Sequence, residues 1–189
     1  MGHPAEKRVR ATYADYAALP DDQVAEIIDG ELYVFPRPAP RHAKAASRVQ
    51  SRIGGPFDLG DGGPGGWQIL MEPELHLVRE EPVIPDLAGW RLERMPELPK
   101  TTYFALAPDW VCEVVSPSTE AHDRERKLPL YGKHGVRHAW LLDPLRCTLE
   151  VFSLGKRRWG KPVIHRGDAR VRVPPFEAIE IDLSIFWVK

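Results

Sequence analysis

The sequence is poor in cysteine, in long apolar runs and in net charge. Cys112 and Cys147 are the two cysteines. Both sit in apolar strand-like stretches, so they read as small core residues rather than as a disulfide or a zinc site, and a reducing cytoplasm is the expected setting. No segment approaches the roughly twenty apolar residues of a bilayer-spanning helix. Met1 to Arg10 is polar, unlike a secretory signal, and is expected to be unstructured. The formal net charge of −1 argues against coating nucleic acid through bulk charge. A local basic face remains compatible with an enzyme acting on nucleic acid. Repeats and low-complexity segments are also missing. The 189 residues are most simply one domain, 1–189, large enough to bury a core.

What is present centres on Asp109 to Thr119, Asp-Trp-Val-Cys-Glu-Val-Val-Ser-Pro-Ser-Thr. Its β-branched and aromatic residues, closed by Pro117 and Ser118, predict a buried strand ending in a polar turn. Glu113 is out of place there, because an ionised carboxylate inside such a strand is costly unless a metal, a cation or several donors compensate it. A second carboxylate, Asp86, follows Pro85 in the apolar run 82–90. Two acidic residues on separate core strands suit a Mg²⁺-dependent phosphodiesterase, since hard divalent cations take oxygen ligands. Taken singly, Asp86 also reads as a turn aspartate capping a strand end and Glu113 as half of a buried ion pair.

Several stretches occur together in order: Ile-Ile-Asp-Gly-Glu-Leu (27–32), Pro-Asp-Leu (85–87), Glu-Val-Val-Ser-Pro-Ser-Thr (113–119), Asp123/Lys127/Tyr131, Gly135-Val136 and Trp140-Leu-Leu-Asp143. This set resembles the Uma family of the PD-(D/E)XK nuclease superfamily over about residues 19–152. The resemblance implies an α/β restriction-endonuclease-like core, a mixed central sheet flanked by helices, with added C-terminal β-hairpins. It also implies an endonuclease using Mg²⁺ (or Mn²⁺) at Asp86 and Glu113, with Glu31 as an additional carboxylate and Glu74 as a further metal-ligand candidate. Either of these last two reads equally as a solvent-facing carboxylate on an alternating strand. One departure matters. The superfamily signature is Glu-X-Lys, and the position two beyond Glu113 is Val115, which cannot orient water or stabilise charge on a phosphorane. Lys127 is the nearest replacement, four residues after Asp123 on the following helix; the plainer reading of that pair is an exposed helix salt bridge.

Along the chain, Asp21 to Ile28 reads as a short helix with Val24, Ile27 and Ile28 on one face, turning at Asp29-Gly30 into a strand at Glu31 to Phe35. Arg41 to Ile53 reads as a helix with Ala43, Ala46, Val49 and Ile53 inward. Its basic stripe of Arg41, Lys44, Arg48 and Arg52, with His42, is a candidate nucleic-acid contact, or simply a solvated face. Gly54 to Gly66 reads as a flexible loop placed to cover the site. Segments 67–71, 74–78 and the run ending at Trp90 suggest a meander, and Arg91 to Tyr103 a surface excursion. A helix is expected from Glu120 to His134, bent or split at Pro129. Strands at Ala139 to Asp143 and Thr148 to Leu154 follow, joined by a turn at Asp143 to Arg146. A hairpin pairing Trp159 to His165 with Arg170 to Val173 comes next, then a docked strand and short helix between Ile179 and Trp187.

The first reading is therefore a divalent-metal endonuclease acting on nucleic acid, DNA in the first instance, and as a homodimer if both strands of a duplex are cut. A catalytically silent nucleic-acid-binding or assembly protein on the same scaffold is the second. A hydrolase of nucleotides or small phosphate esters is the third. The basic helix from Arg41 to Arg52 and the Lys156-Arg157-Arg158 turn favour a polymeric substrate, and the embedded carboxylates favour an enzyme.

Overall fold

The computed structural model describes residues 10–20, 22–156 and 158–187. The expected unstructured start, the helix start at Asp21 and the middle of the Lys156-Arg157-Arg158 turn thus lie outside the described residues. Arg10 is described and pairs with Glu81 at 2.8 Å.

A six-stranded sheet forms the centre, in the order β10-β9-β8-β7-β6-β3. Its strands are β3 (Trp67–Met71), β6 (Leu87–Arg91), β7 (Trp110–Val114), β8 (His138–Asp143), β9 (Thr148–Ser153) and β10 (Val163–Arg166). Every neighbouring pair is antiparallel except β7 and β8. A parallel pair needs a crossover, and the helical stretch from Glu120 to Lys133 provides it. All five residues of β7 are buried, so its near-continuous apolar run is what a strand covered on both faces requires.

The two faces hold separate cores. On one, Trp110, Cys112 and Val114 pack against Ala45, Ala46, Val49 and Ile53 of α2 (Pro40–Gly54) and against the C-terminal segment. On the other, Val111 and Val115 pack with Leu128, Leu130 and Tyr131. Alternation along β7 turns Glu113 toward this second face. The C-terminal segment adds β11 (Arg170–Val171) paired with β12 (Ile181–Asp182) and a 3₁₀ turn at Leu183–Phe186. The strand and short helix expected at the end of the chain are present.

Several local expectations are corrected. The segment read as a helix at Asp21 to Ile28 is a strand, β1 (Gln23–Ile28), paired antiparallel with β2 (Glu31–Pro36). Asp29 and Gly30 both have positive φ, 54° and 77°. This is the geometry that Asp-Gly favours in a two-residue hairpin turn, and it draws both flanks into strands. The first helix lies earlier, α1 (Tyr13–Ala17), held by a Thr12/Asp15 capping box.

Only the second half of segment 54–66 is a loop: Gly55–Leu59 continues α2 as a π-helical turn, and 60–66 is turn and irregular backbone. Phe57 pins the π-helical turn in the core, with its ring 4.6 Å from that of Phe176. The meander is interrupted as well. β3 pairs with β6, while β4 (Leu75–Val78) and β5 (Glu81–Val83) form their own hairpin.

Pro129 neither splits nor sharply ends its helix. α3 (Glu120–His122) runs through a π-helical turn at Asp123–Lys127 into α4 (Leu128–Lys133). The wider turn accommodates a ring that would clash with the preceding carbonyl in a regular α-helix. The late hairpin pairs differently from the expectation, because β10 joins β9 and β11 joins β12. Cys147 sits in the β8–β9 turn with φ 51°, not in a strand.

Phe176 ties the C-terminal segment to the sheet. Its ring contacts Trp67, Trp110 and Trp140 at 5.1, 4.9 and 5.5 Å, and the residue is fully buried. Phe176→Ala is expected to cost about 3–5 kcal/mol, read as a fall in the urea midpoint with unchanged slope. A cost under about 1 kcal/mol would mean that this segment is not part of the cooperative core.

Candidate active site

Asp86 directly precedes β6, and Glu113 is the fourth residue of β7. The antiparallel register pairs Leu87 with Cys112, which sets Asp86 and Glu113 beside each other at the sheet end where β7 finishes. Ligand sites of α/β sheets form at such carboxyl ends. The two residues interlock through the backbone. Val114 N–H donates to Asp86 Oδ2 at 2.6 Å, and Asp86 N–H approaches Glu113 Oε2 at 3.4 Å. Both line one cavity of about 360 Å³, together with Glu26, His42, His122, Asp123 and Lys127.

Lys127 is the cationic centre. Its ammonium donates to Ile84 O at 2.8 Å and to Glu113 Oε2 at 3.0 Å, and forms an ion pair with Glu26 Oε1 at 2.9 Å. Asp123, one π-helical turn earlier, is more distant at 4.0 Å. Tyr131 donates to Glu113 Oε1 at 2.6 Å. Glu26 also meets His122 Nε2 at 2.6 Å and accepts from Ile84 N–H at 2.9 Å. His42, in the first turn of α2, lies 3.2 Å from Asp86 Oδ2.

Four carboxylates, Glu26, Asp86, Glu113 and Asp123, thus face a single lysine. The protonation equilibria reflect that imbalance. Burial pushes the Glu113 carboxyl well above the ordinary range, and Asp123, Asp86 and Glu26 add to the shift against the pull of Lys127. Burial likewise raises Asp123 and holds the Tyr131 phenol neutral. Burial opposes the Lys127 charge, but Glu113 and Glu26 outweigh it and keep its pKa well above the usual lysine value. Glu26 comes out lowered, because Lys127 and the His122 and Ile84 hydrogen bonds overcome its desolvation. For His42, burial is countered by the contact with Asp86, and its pKa is raised.

The donor set fits a hard divalent cation. Its carboxylate oxygens outnumber the lysine beside them and face a cavity that His42 and His122 also line. Among the described residues, no three acidic, histidine or cysteine side chains already stand as a metal cage. Mg²⁺ does not need one, since it commonly binds through one or two carboxylates and keeps several waters.

The remaining candidates lie elsewhere. Glu31 is bonded to Tyr33 at 2.8 Å, and Glu74 to His76 at 2.7 Å and Tyr16 at 3.0 Å; neither lines the cavity. Of the α2 stripe, Arg41 is exposed. Lys44, Arg48 and Arg52 line a different groove beside the C-terminal segment. There Arg48 donates to Ile185 O and Trp187 O, and Arg52 to Glu180 O. Arg124 turns away to Glu150 and Glu120. Val115 is buried in the second core.

Sequence reasoning missed Glu26 and His122. Glu26 was hidden by the helical reading of its segment, and the Asp-Gly hairpin signal was the clue that would have placed it on a strand. Nothing local marks His122.

The fold is of the α/β restriction-endonuclease-like class. A family model described as "Uma2: Putative restriction endonuclease" matches residues 12–185, and the chain belongs to that family. A crystal structure described as a putative nuclease belonging to DUF820, from Anabaena variabilis, shares the fold. It has a TM-score of 0.75 and 22% identity over 94% of this chain and 97% of the other. No curated protein matches the chain. Among the described residues, no helix is long and apolar enough to cross a membrane.

Removing the lysine should expose the charge imbalance. Lys127→Met leaves Glu26 and Glu113 buried without their cation and is expected to cost about 3–5 kcal/mol in urea unfolding. The double variant Lys127→Met/Glu113→Gln should recover part of that loss. A double variant no more stable than the single one would show that the penalty is not unpaired charge.

Proposed function

We propose that the protein is a divalent-metal-dependent endonuclease that hydrolyses phosphodiester bonds in nucleic acid. Membership of a family described as putative restriction endonucleases supports the nuclease class. The single observation that carries the finer reading is the pairing of Asp86 with Glu113 at the wall of one cavity, with the Lys127 ammonium 3.0 Å from Glu113.

Asp86 and Glu113 are the residues that would hold Mg²⁺ or Mn²⁺. When bound, such a cation supplies Lewis-acid chemistry: it lowers the pKa of an attacking water and offsets charge on the phosphoryl oxygens. The chain's own groups do the rest. Lys127 reaches in from the crossover helix and brings a positive charge to Glu113 that Val115 cannot bring. Tyr131 and Lys127 together fix the Glu113 carboxylate by one donor on each oxygen. His42, with its pKa raised beside Asp86, can carry a proton near the phosphate. Glu113 and Lys127 are buried, which strengthens the attraction between them.

The silent-scaffold reading draws on Val115 and on the buried partners that Lys127 already has in Ile84 O, Glu113 and Glu26. Calorimetric titration separates the two. The native protein should bind Mn²⁺ or Mg²⁺, and Asp86→Ala should bind neither. Nucleic acid should be cut with Mg²⁺ or Mn²⁺, bound but not cut with Ca²⁺, and left intact in chelator. Cleavage in chelator equal to that with metal would contradict the metal mechanism, and metal binding unchanged in Asp86→Ala would remove Asp86 from it.

A further inference from the structure

The acidic cavity is a poor place for a polyanion to find its affinity. Glu26, Asp86, Glu113 and Asp123 all line it, whereas affinity for nucleic acid comes mainly from phosphates neutralised by lysine and arginine. A separate groove of about 850 Å³ on the flank of α2 has the opposite character. Lys44, Arg48 and Arg52 line it with Ser51 and Ser184, and among the described residues no carboxylate does. The acidic side chains of the adjoining C-terminal segment face another cation: Glu180 and Asp182 lie 3.6 and 3.9 Å from Arg170, and Asp182 also accepts from Ser184.

We propose that this groove is a second nucleic-acid site, which grips the sugar-phosphate backbone of the substrate away from the bond that is cut. The inference rests on the nuclease reading and adds to it the surface that supplies affinity.

Three observations carry it. First, Arg41, Lys44, Arg48 and Arg52 recur at spacings of three and four residues, which makes them neighbours on one flank of a helix. From Lys44 to Arg52 the helix advances roughly 12 Å, over which a polynucleotide strand presents about three phosphates. Second, the two arginines are anchored without being used up. Arg48 donates to Ile185 O and Trp187 O through Nη1, and Arg52 to Glu180 O through Nη2. A guanidinium has five N–H donors, so the carbonyl bonds hold each fork in place and leave donors for a phosphate. Lys44 is exposed and, among the described residues, pairs with no carboxylate. Third, α2 carries both sites. His42, in its first turn, lies 3.2 Å from Asp86, its neighbour Arg41 is exposed and begins the stripe, and Lys44 follows roughly 3 Å further along the axis. A backbone leaving Asp86 over the start of α2 therefore meets Arg41 and Lys44 before the two anchored arginines. Contacts of this kind go to phosphate and carry no sequence information.

Fluorescence anisotropy in Ca²⁺ over a range of salt concentrations, with labelled DNA and RNA oligonucleotides in single- and double-stranded form, tests this. For the form that binds tightest, Lys44→Gln should lower the slope of log affinity against log salt by about one. Ser51→Glu, which sets an anion among the three cations, should weaken binding about tenfold. Both side chains are exposed, so neither change disturbs the core. In Mg²⁺ the loss should fall on KM, with kcat retained. Affinity and slope untouched in both variants overturn the inference and leave the nuclease reading standing, as does a loss confined to kcat. Native protein that binds, responds to both variants and cuts with neither Mg²⁺ nor Mn²⁺ upholds the groove and overturns the nuclease reading. Failure to bind any of the oligonucleotides overturns both.

Discussion

The ammonium of Lys127, buried between Glu113, Glu26 and Ile84 O, is the contact on which the site depends. Removing one partner from a buried ionic cluster strands the others in a medium that solvates them poorly. The cluster therefore locks three separate elements together: β1 through Glu26, β7 through Glu113, and the π-helical turn that carries Lys127. It also sets the chemistry. One lysine stands among four carboxylates, and Glu113 and Asp123 are pushed up first by burial and then by the neighbouring carboxylates.

The sheet topology puts the cluster where it is. Antiparallel pairing of β6 with β7 brings Asp86 beside Glu113, and the parallel β7–β8 pair obliges the chain to cross over by helix directly after the Glu113 strand. The π-helical turn in that crossover keeps both Asp123 and Lys127 buried against the sheet. Pro129 lies two residues beyond Lys127, so the residue that a regular helix would exclude and the residue that completes the site share one local geometry. Glu26 enters from a hairpin outside the main sheet and accepts from Ile84 N–H in the connection between β5 and β6.

The central elements were legible because their signals are local and strong. β7, β8, β9 and α2 follow from bounded apolar runs and from one apolar helical face, and a carboxylate inside an apolar strand pointed to Glu113. The β1 segment was misread because Val24, Ile27 and Ile28 suit a helix face as well as a strand, and periodicity over eight residues does not separate the two. The turn beside it did hold the answer. With β1 misplaced, Glu26 had no reason to be noticed, and Glu31 and Glu74 were preferred although they lie outside the cavity. The α2 stripe illustrates a different limit. Its basic character was plain, but the carbonyls that Arg48 and Arg52 find belong to residues more than a hundred positions away. No local pattern foretells such partners. In the glycine-rich segment the loop at 60–66 follows from composition, while the π-helical turn at Gly55–Leu59 depends on a tertiary contact, Phe57 against Phe176.

Family membership and fold place the chain among nuclease-like proteins, and the acidic excess around Lys127 gives that placement a physical basis. The most direct measurement is the proton balance of metal binding at neutral pH, from calorimetric titrations of Mn²⁺ into the protein in buffers of different ionisation enthalpy. A cluster short of positive charge, with Glu113 pushed upward by burial, should release protons as the cation binds. Binding without proton release, or no binding at all, would contradict the account.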